Sequence, residues 1–572
     1  MTFKRYLKNK IEQFTETDYL FKFLASFVKS IVFAFIHKGT LSRTIYITCF
    51  YFFLAFHHVT AQEYFYPLNR DMETRIGSFI NADTLGFFTS TKPFINSELK
   101  KVVPLDSVWQ PIVGSSKFYN TWVGRKLRKE HLISVNEDDL LLSADPVFNL
   151  QIGRDQKAKR NVYVSTRGVM IHGNVNDKFF FFTQFHENQA RYVNYVDSFI
   201  NEYEVVPGQG KVKFLKNESF DFSQATGGIA YTLNRHFDFL LASDKNFIGD
   251  GYRSLLISDN AYSYPFLRIN MKFWKFKYTV IYAVMQDLMT LPDPDVGYNK
   301  KYSTTHYLDI NIGKKNKLSA GIFETVMFKP AASRGYELSY LNPLIFLRPV
   351  ENSLDSPDNE LLGLNLRWKI NRHNTIYSQV MLDEFILGEV RAGNGWWGNK
   401  QGLQFGYKSS DIFELKNLNF QTEFNFVRPF TYQHRSEQQN YTHHNQALAH
   451  PLGADFIESV TFMNYRWRNF FGEIKFQFAK LGHDMDSLNQ GNDIFKSYET
   501  RGSDYGYYMF NGLESKLKSI ELRIDYLVNP KTNFNIEIGT MVRKFSNSLS
   551  ENNSQLIYFG IRTSLENYYF DF

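Results

Sequence analysis

The chain has 572 residues, 43% hydrophobic and 22% charged, with a net charge of +7, which excludes a disordered chain. That mild charge forms no dense Lys/Arg cluster on one element, so no nucleic-acid partner is expected. Mean hydropathy is −0.35, and no apolar run after residue 62 approaches the roughly 20 residues of a membrane helix.

Residues 45–56 form an apolar core of signal-peptide length. Lys38 and Arg43 precede it, and Val59-Thr60-Ala61 supplies small residues for cleavage. We expect an exported protein cleaved after Ala61, with residues 1–61 as leader and signal peptide. The competing reading, a membrane anchor, is weakened by the shortness of the core. Cys49 is the single cysteine and lies in this run, so the mature chain would hold no disulfide.

Residues 62–140 lack strong period-2 alternation, apart from a short helical candidate at Val123–Lys129. They read as a small periplasmic region ahead of a barrel spanning 141–572. From about residue 147, segments of 8–13 residues alternate in hydrophobicity between turn residues. Examples are Tyr278-Val280-Tyr282-Val284, Phe534-Ile536-Ile538 and Ile520-Leu522-Ile524-Tyr526, the last interleaved with Glu521, Arg523 and Asp525. An aromatic content of 17% suits a wall that meets two membrane interfaces.

Nineteen candidate strands emerge: 147–153, 161–173, 177–187, 226–233, 236–247, 264–274, 275–286, 304–313, 317–328, 336–347, 361–371, 374–386, 401–411, 417–428, 457–469, 470–480, 516–529, 532–545 and 554–566. Periplasmic turns should be short and external loops long. The two sets alternate only if 336–347, with Pro343 and the nearby Pro349, is not a strand. The predicted fold is therefore an all-β, outer-membrane antiparallel β-barrel of eighteen strands, with 329–360 as one external or lumen-filling segment. The chain ends Tyr568-Tyr569-Phe570-Asp571-Phe572. A terminal Phe with alternating aromatics is the end that the outer-membrane barrel-assembly machinery reads, so that machinery and membrane lipid are expected partners.

Three connections hold unusual residues. Asn246–Leu255 is glycine-rich, but no strand-then-helix context with a phosphate-binding lysine follows, so it reads as a tight external loop. His434, His443, His444 and His450 invite a metal reading. Their Asn, Gln and Tyr neighbours favour an ordered polar plug or loop, and no metal or cofactor is expected. Asp383, Glu384 and Glu389 near Trp396-Trp397 could describe a glycosidase. The plainer reading is lumen charge at a strand end plus an aromatic anchor, with no catalytic residue.

These loops also carry a resemblance. Phe247-Ile248-Gly249-Asp250-Gly251-Tyr252-Arg253-Ser254-Leu255 resembles a motif of the Wzi capsule-assembly family. Tyr340-Leu341-Asn342-Pro343, Asp358-Asn359, Trp397-Gly398-Asn399-Lys400, Arg428–Tyr432 and Leu448–Ala454 extend it over residues 118–572. The set is most similar to the family's gliding-motility branch, RemB, in Bacteroidota. The resemblance implies an eighteen-stranded barrel with an N-terminal periplasmic part, surface polysaccharide as partner in the capsule branch, and motility in the gliding branch. The capsule branch's helical bundle is not visible in 62–140. The expected function is a non-enzymatic surface protein for gliding motility or capsule assembly, with a passive diffusion channel as the alternative. Aromatic rings stack on sugar faces and polar groups bond hydroxyls, so Arg253, Trp396, Trp397, Tyr432 and Tyr441 are the candidate glycan contacts.

Overall fold

Side-chain alternation decides which way each strand faces. In the segment Leu513–Asn529, Ile520, Leu522 and Ile524 stand exposed on the outside, while Glu521, Arg523 and Asp525 turn inward to charged partners. An apolar outer wall around a polar interior is the pattern of a barrel in lipid. The computed structural model describes residues 65–572 apart from 109–116, 138, 177, 291, 295–296, 331–334, 355–357, 486–487 and 564–565. The leader, the signal segment with Cys49, and the cleavage site after Ala61 lie outside the described residues.

The strands are β1 (Leu140–Asp155), β2 (Arg160–Val175), β3 (Phe179–Arg191), β4 (Ser219–Asn234), β5 (Phe237–Asp244) and β6 (Tyr264–Phe273). They continue as β7 (Phe276–Asp287), β8 (Asn299–Ile312), β9 (Leu318–Phe328), β10 (Asn359–Lys369), β11 (Asn374–Glu384) and β12 (Lys400–Ser409). The last six are β13 (Leu418–Val427), β14 (Phe456–Trp467), β15 (Phe470–His483), β16 (Leu513–Asn529), β17 (Phe534–Ser546) and β18 (Glu551–Arg562). Each pairs antiparallel with the next, and β18 returns to β1 from Leu556↔Asp155 to Arg562↔Asn149, closing an 18-strand barrel. Every strand retained from the sequence has its counterpart. The segment 336–347 is not a strand: Leu338–Leu341 makes one 3-10 turn there.

Four pieces of the chain fill the lumen. The helix α1 (Arg70–Ala82), capped by the Asn69 side chain at Met72 N, sits in the periplasmic mouth. Arg70 pairs with Glu473 on β15, and Asp71 with Arg523 on β16 and Arg562 on β18. The residues after it run deeper, where Thr91–Lys92 pairs antiparallel with Phe247–Ile248. A second short helix, α2 (Trp122–Arg128), packs near the β16–β17 turn, where the Asn529 amide donates to Lys126 O at 3.0 Å.

The β5–β6 connection, expected as a tight external loop, instead folds inward. Phe247, Ile248, Leu255, Leu256 and Ile257 are apolar and fully buried. A row of wall amides serves its backbone: Gln379 bonds Ile248 O at 3.0 Å and Leu255 N at 2.8 Å, and Gln404 bonds Arg253 O at 3.0 Å. Backbone groups taken from water need such partners. At Gly251 a Cβ would stand 2.4 Å from Glu423 Oε2, the carboxylate that accepts from Tyr252 N and Arg253 N.

The chain end is the third piece. The last strand stops at Arg562, and the residues beyond turn into the lumen, so the terminal aromatics form no edge of the wall. Tyr569 donates to Asp259 at 2.7 Å, Arg543 donates to Phe572 O at 2.8 Å, and Tyr252 donates to Asp571 at 2.8 Å. The fourth piece is the 428–455 connection, almost wholly buried.

Candidate functional site

The centre of the plug is a buried charge cluster. Arg253, 1% exposed, donates to Glu458 on β14 at 2.9 Å and to the backbone Asp571 O at 3.1 Å, and its guanidinium pairs with the Asp571 carboxylate at 3.1 Å. Burial opposes its charge, but the Asp571 and Glu458 carboxylates outweigh that and hold the guanidinium well above its usual range. Gln477 on β15 donates to Glu458 at 2.8 Å and to Asp571 O at 2.7 Å, and His450 bonds Glu458 at 2.7 Å. One cluster therefore ties together an inward loop, the wall, the 428–455 segment and the C-terminal tail.

The five candidate contacts divide into two groups. Arg253, Tyr432 and Tyr441 are buried and act inside the plug. Tyr432 and Tyr441 stack with centroids 5.8 Å apart, and their hydroxyls donate to Leu255 O at 2.9 Å and Leu256 O at 2.8 Å. Trp396 and Trp397 remain half-buried in the external loops. Trp397 lies 4.5 Å from the Tyr498 ring, meets Phe430 edge-on at 6.2 Å, and carries the Arg501 guanidinium 4.1 Å above it. Asp383, at the β11 end, pairs with Lys400 at 2.7 Å and accepts from Tyr432 N at 2.7 Å. It is a strut between wall and plug.

The histidines are part of the same packing. His443 Nδ1 accepts from Gln286 N at 3.1 Å, and His434 Nδ1 accepts from Ser436 N at 3.3 Å. Burial drives His434 and His444 down to about 4 and holds His443 well below the usual imidazole range, so all three are neutral at pH 7.

A cavity of about 580 Å³ stands at the external end of the lumen. Its aromatic side comes from α3 (Asn194–Tyr203) in the β3–β4 connection and from Phe495: Phe199 and Tyr203 lie 4.7 Å apart, and Tyr203 and Phe495 5.0 Å apart. Asn260, Gln446, Asn492 and Asn552 supply amides, and Phe572 lines it against Phe199 at 5.1 Å. A second cavity of about 290 Å³ lies deeper, lined by Phe570 and Asp571, and Tyr195, Arg543 and Tyr569 border both. The tail thus stands between an outer chamber and an inner one. The sequence reading missed α3, although Tyr195, Val196, Phe199, Ile200 and Tyr203 repeat at helical spacing.

Fold and site define the class as an outer-membrane β-barrel with a filled lumen and a polar, aromatic external face. Among solved structures the chain is similar to Wzi of Escherichia coli, described as an outer-membrane protein involved in group 1 capsule assembly and a carbohydrate-binding β-barrel. The identity is 11% and the TM-score 0.52, over 87% of this chain and 98% of that one. OprD of Pseudomonas aeruginosa matches at 9% identity and TM-score 0.39, over 73% of this chain and 94% of that one. OpdK of the same organism matches at 7% identity and TM-score 0.39, over 74% and 99%. No family model and no curated protein matches the sequence.

Proposed function

We propose that this protein is a non-enzymatic outer-membrane surface protein that engages surface polysaccharide at its external face, in capsule assembly or gliding motility. The observation that carries this reading is the aromatic and amide-lined chamber of about 580 Å³ above a lumen filled by the chain's own segments. Ring faces suit the apolar faces of sugars, and amides suit their hydroxyls. Trp396 and Trp397 on the loops and Phe199 and Tyr203 in the chamber are the contacts. Arg253, Tyr432 and Tyr441 serve by holding the plug that shapes the chamber floor. The motif resemblance to the RemB branch, together with the carbohydrate-binding description of the E. coli barrel, supports the glycan and leaves motility and capsule roles to one genetic test. Deleting the gene and scoring both colony spreading and capsule staining separates them.

The binding test is retention of the full-length protein on immobilised surface glycan. Wild type should be retained, and Trp397→Ala and Tyr203→Ala should lose retention. Equal retention of all three removes these contacts; loss of wild-type retention removes the function. The second reading, a passive diffusion channel, draws on the inner cavity of about 290 Å³ beneath the tail. Steady single-channel conductance of the wild type in planar bilayers would favour it. Recognition of the chain end by the barrel-assembly machinery belongs to this reading as a step before the tail docks in the lumen.

A further inference from the structure

The wall is not apolar all round. On β7, Val280 pairs with His306 of β8, which pairs with Glu324 of β9, and Tyr282 pairs with Thr304. This parity points outward: the odd-numbered neighbours Tyr307 and Asp309 are buried toward the lumen, where Ser90 donates to Asp309, and Ile322, Leu362, Leu364 and Leu366 stand exposed in the same outward rows as Glu324. Tyr278, Tyr282, Thr304, His306 and Glu324 therefore form a polar seam on the face that meets lipid.

The β9–β10 connection covers that seam from outside. Phe346 N and Leu347 N both donate to Glu324 at 2.7 Å. Phe346 takes φ +82°, a conformation costly for a bulky residue, and two consecutive N–H groups there share one carboxylate. Tyr278 donates to Pro343 O at 2.9 Å, Tyr282 to Leu341 O at 3.0 Å and Thr304 to Tyr340 O at 3.0 Å. Val326, Phe328, Tyr340 and Leu347 close an apolar cluster beneath. On the other side Leu338, Leu344 and Phe346 are 71%, 68% and 64% exposed. The run Leu338–Leu347 holds no charged residue and lies between Glu337 and Arg348.

We propose that this segment is a lipid-embedded strap whose outer face meets acyl chains and completes the apolar belt of the barrel. Two features select lipid as the occupant. Phe346, exposed like Leu338 and Leu344, is tied by its N–H to Glu324, which stands in the wall rows where Ile322, Leu362, Leu364 and Leu366 are also exposed. Irregular backbone at membrane depth is tolerated where protein satisfies it, and here wall side chains take three carbonyls and two N–H groups of the strap. A loop lying in water would need none of these.

The test is spin-label accessibility at Leu344→Cys, in full-length protein in lipid vesicles with Cys49→Ser to remove the single native cysteine. Leu364→Cys on the wall gives the lipid reference, and Tyr505→Cys on an external loop gives the water reference. Heat-modifiable migration confirms that each variant is folded. Leu344→Cys should match Leu364→Cys, with high collision with oxygen and low collision with a water-soluble nickel chelate. Accessibility to the chelate equal to that at Tyr505→Cys overturns the proposal. Suppressed collision with both reagents also overturns it, and shows that protein, such as a second copy of this chain, covers the strap.

Discussion

The β9–β10 connection, described over 335–354, and the 428–455 connection both join strands at the external rim of the barrel, yet one lies on the outside of the wall and the other on the inside. They share a root: Asp358 accepts from Tyr340 of the strap at 2.6 Å and from Gln439 of the plug at 2.7 Å. What separates them is which face of the wall offers polar partners. Inside β10–β15 stand Asn365, Gln379, Gln404, Glu423, Asn425 and Glu458, and the plug carries Arg253, His450 and chain carbonyls to meet them. Outside β7–β9 stand Tyr278, Tyr282, Thr304 and Glu324, and the strap brings an apolar back and a polar underside. A wall residue's parity therefore decides not only lipid or lumen for itself, but the course of the loop that satisfies it.

The largest break in this comparison is Arg253→Met. It leaves Glu458 buried without its guanidinium partner and Asp571 with Lys475 alone, at a cost of roughly 3–5 kcal/mol. Hydrogen exchange should rise in 245–263, 428–455 and the tail, with the strap unchanged. Exchange rising equally in the strap would show that the two segments are one cooperative unit. Acid should act on the plug next. His434 and His444 are held at about 4, below their unfolded value of about 6.5. Between those values the unfolded segment binds protons that the folded one refuses, so stability is full above about pH 6.5 and falls as pH drops toward 4. By pH 5 each histidine costs on the order of 2 kcal/mol. Protection of 428–455 should fall between pH 7 and pH 5 while the barrel strands hold.

Glu324→Ala addresses the strap alone. It orphans Phe346 N and Leu347 N, at roughly 1–3 kcal/mol. Protease cleavage within 335–354 should accelerate, with plug protection as in wild type.

The barrel itself was legible because period 2 and loop length are properties of local sequence. Parity of connections, supported by Pro343 and Pro349, removed 336–347 from the strand count. The destinations of the loops were less legible, since they depend on partners hundreds of residues away. Arg253 finds Asp571 across 318 positions, which no local pattern marks. That is why Arg253, Tyr432 and Tyr441 read as surface contacts and stand inside the plug, while the half-buried pair Trp396 and Trp397 stands in the external loops. One signal for the strap was present: Glu324 shares its parity with the lipid-facing Ile322, and a carboxylate in that row requires a cover. The inward tail carried no comparable sign, because alternating aromatics fit a strand and a lumen lining equally well.

The smallest effect offers the sharpest comparison. Tyr432→Phe and Tyr282→Phe each delete one hydroxyl that donates to one backbone carbonyl, at 2.9 Å in the plug and 3.0 Å under the strap. In each the ring stays and the bond goes. A hydroxyl–carbonyl bond between groups that water can replace contributes about 1 kcal/mol, and an orphaned buried carbonyl costs up to about 3 kcal/mol. Leu255 O lies deep in the plug, where no bulk water reaches, so Tyr432→Phe should cost toward the upper figure. If the strap lies in lipid, Leu341 O is equally cut off from water, and Tyr282→Phe should cost as much, read as a matching drop in urea midpoint in vesicles. If water bathes the strap, Leu341 O finds a new partner at once, and Tyr282→Phe should shift the midpoint by less than half as much as Tyr432→Phe.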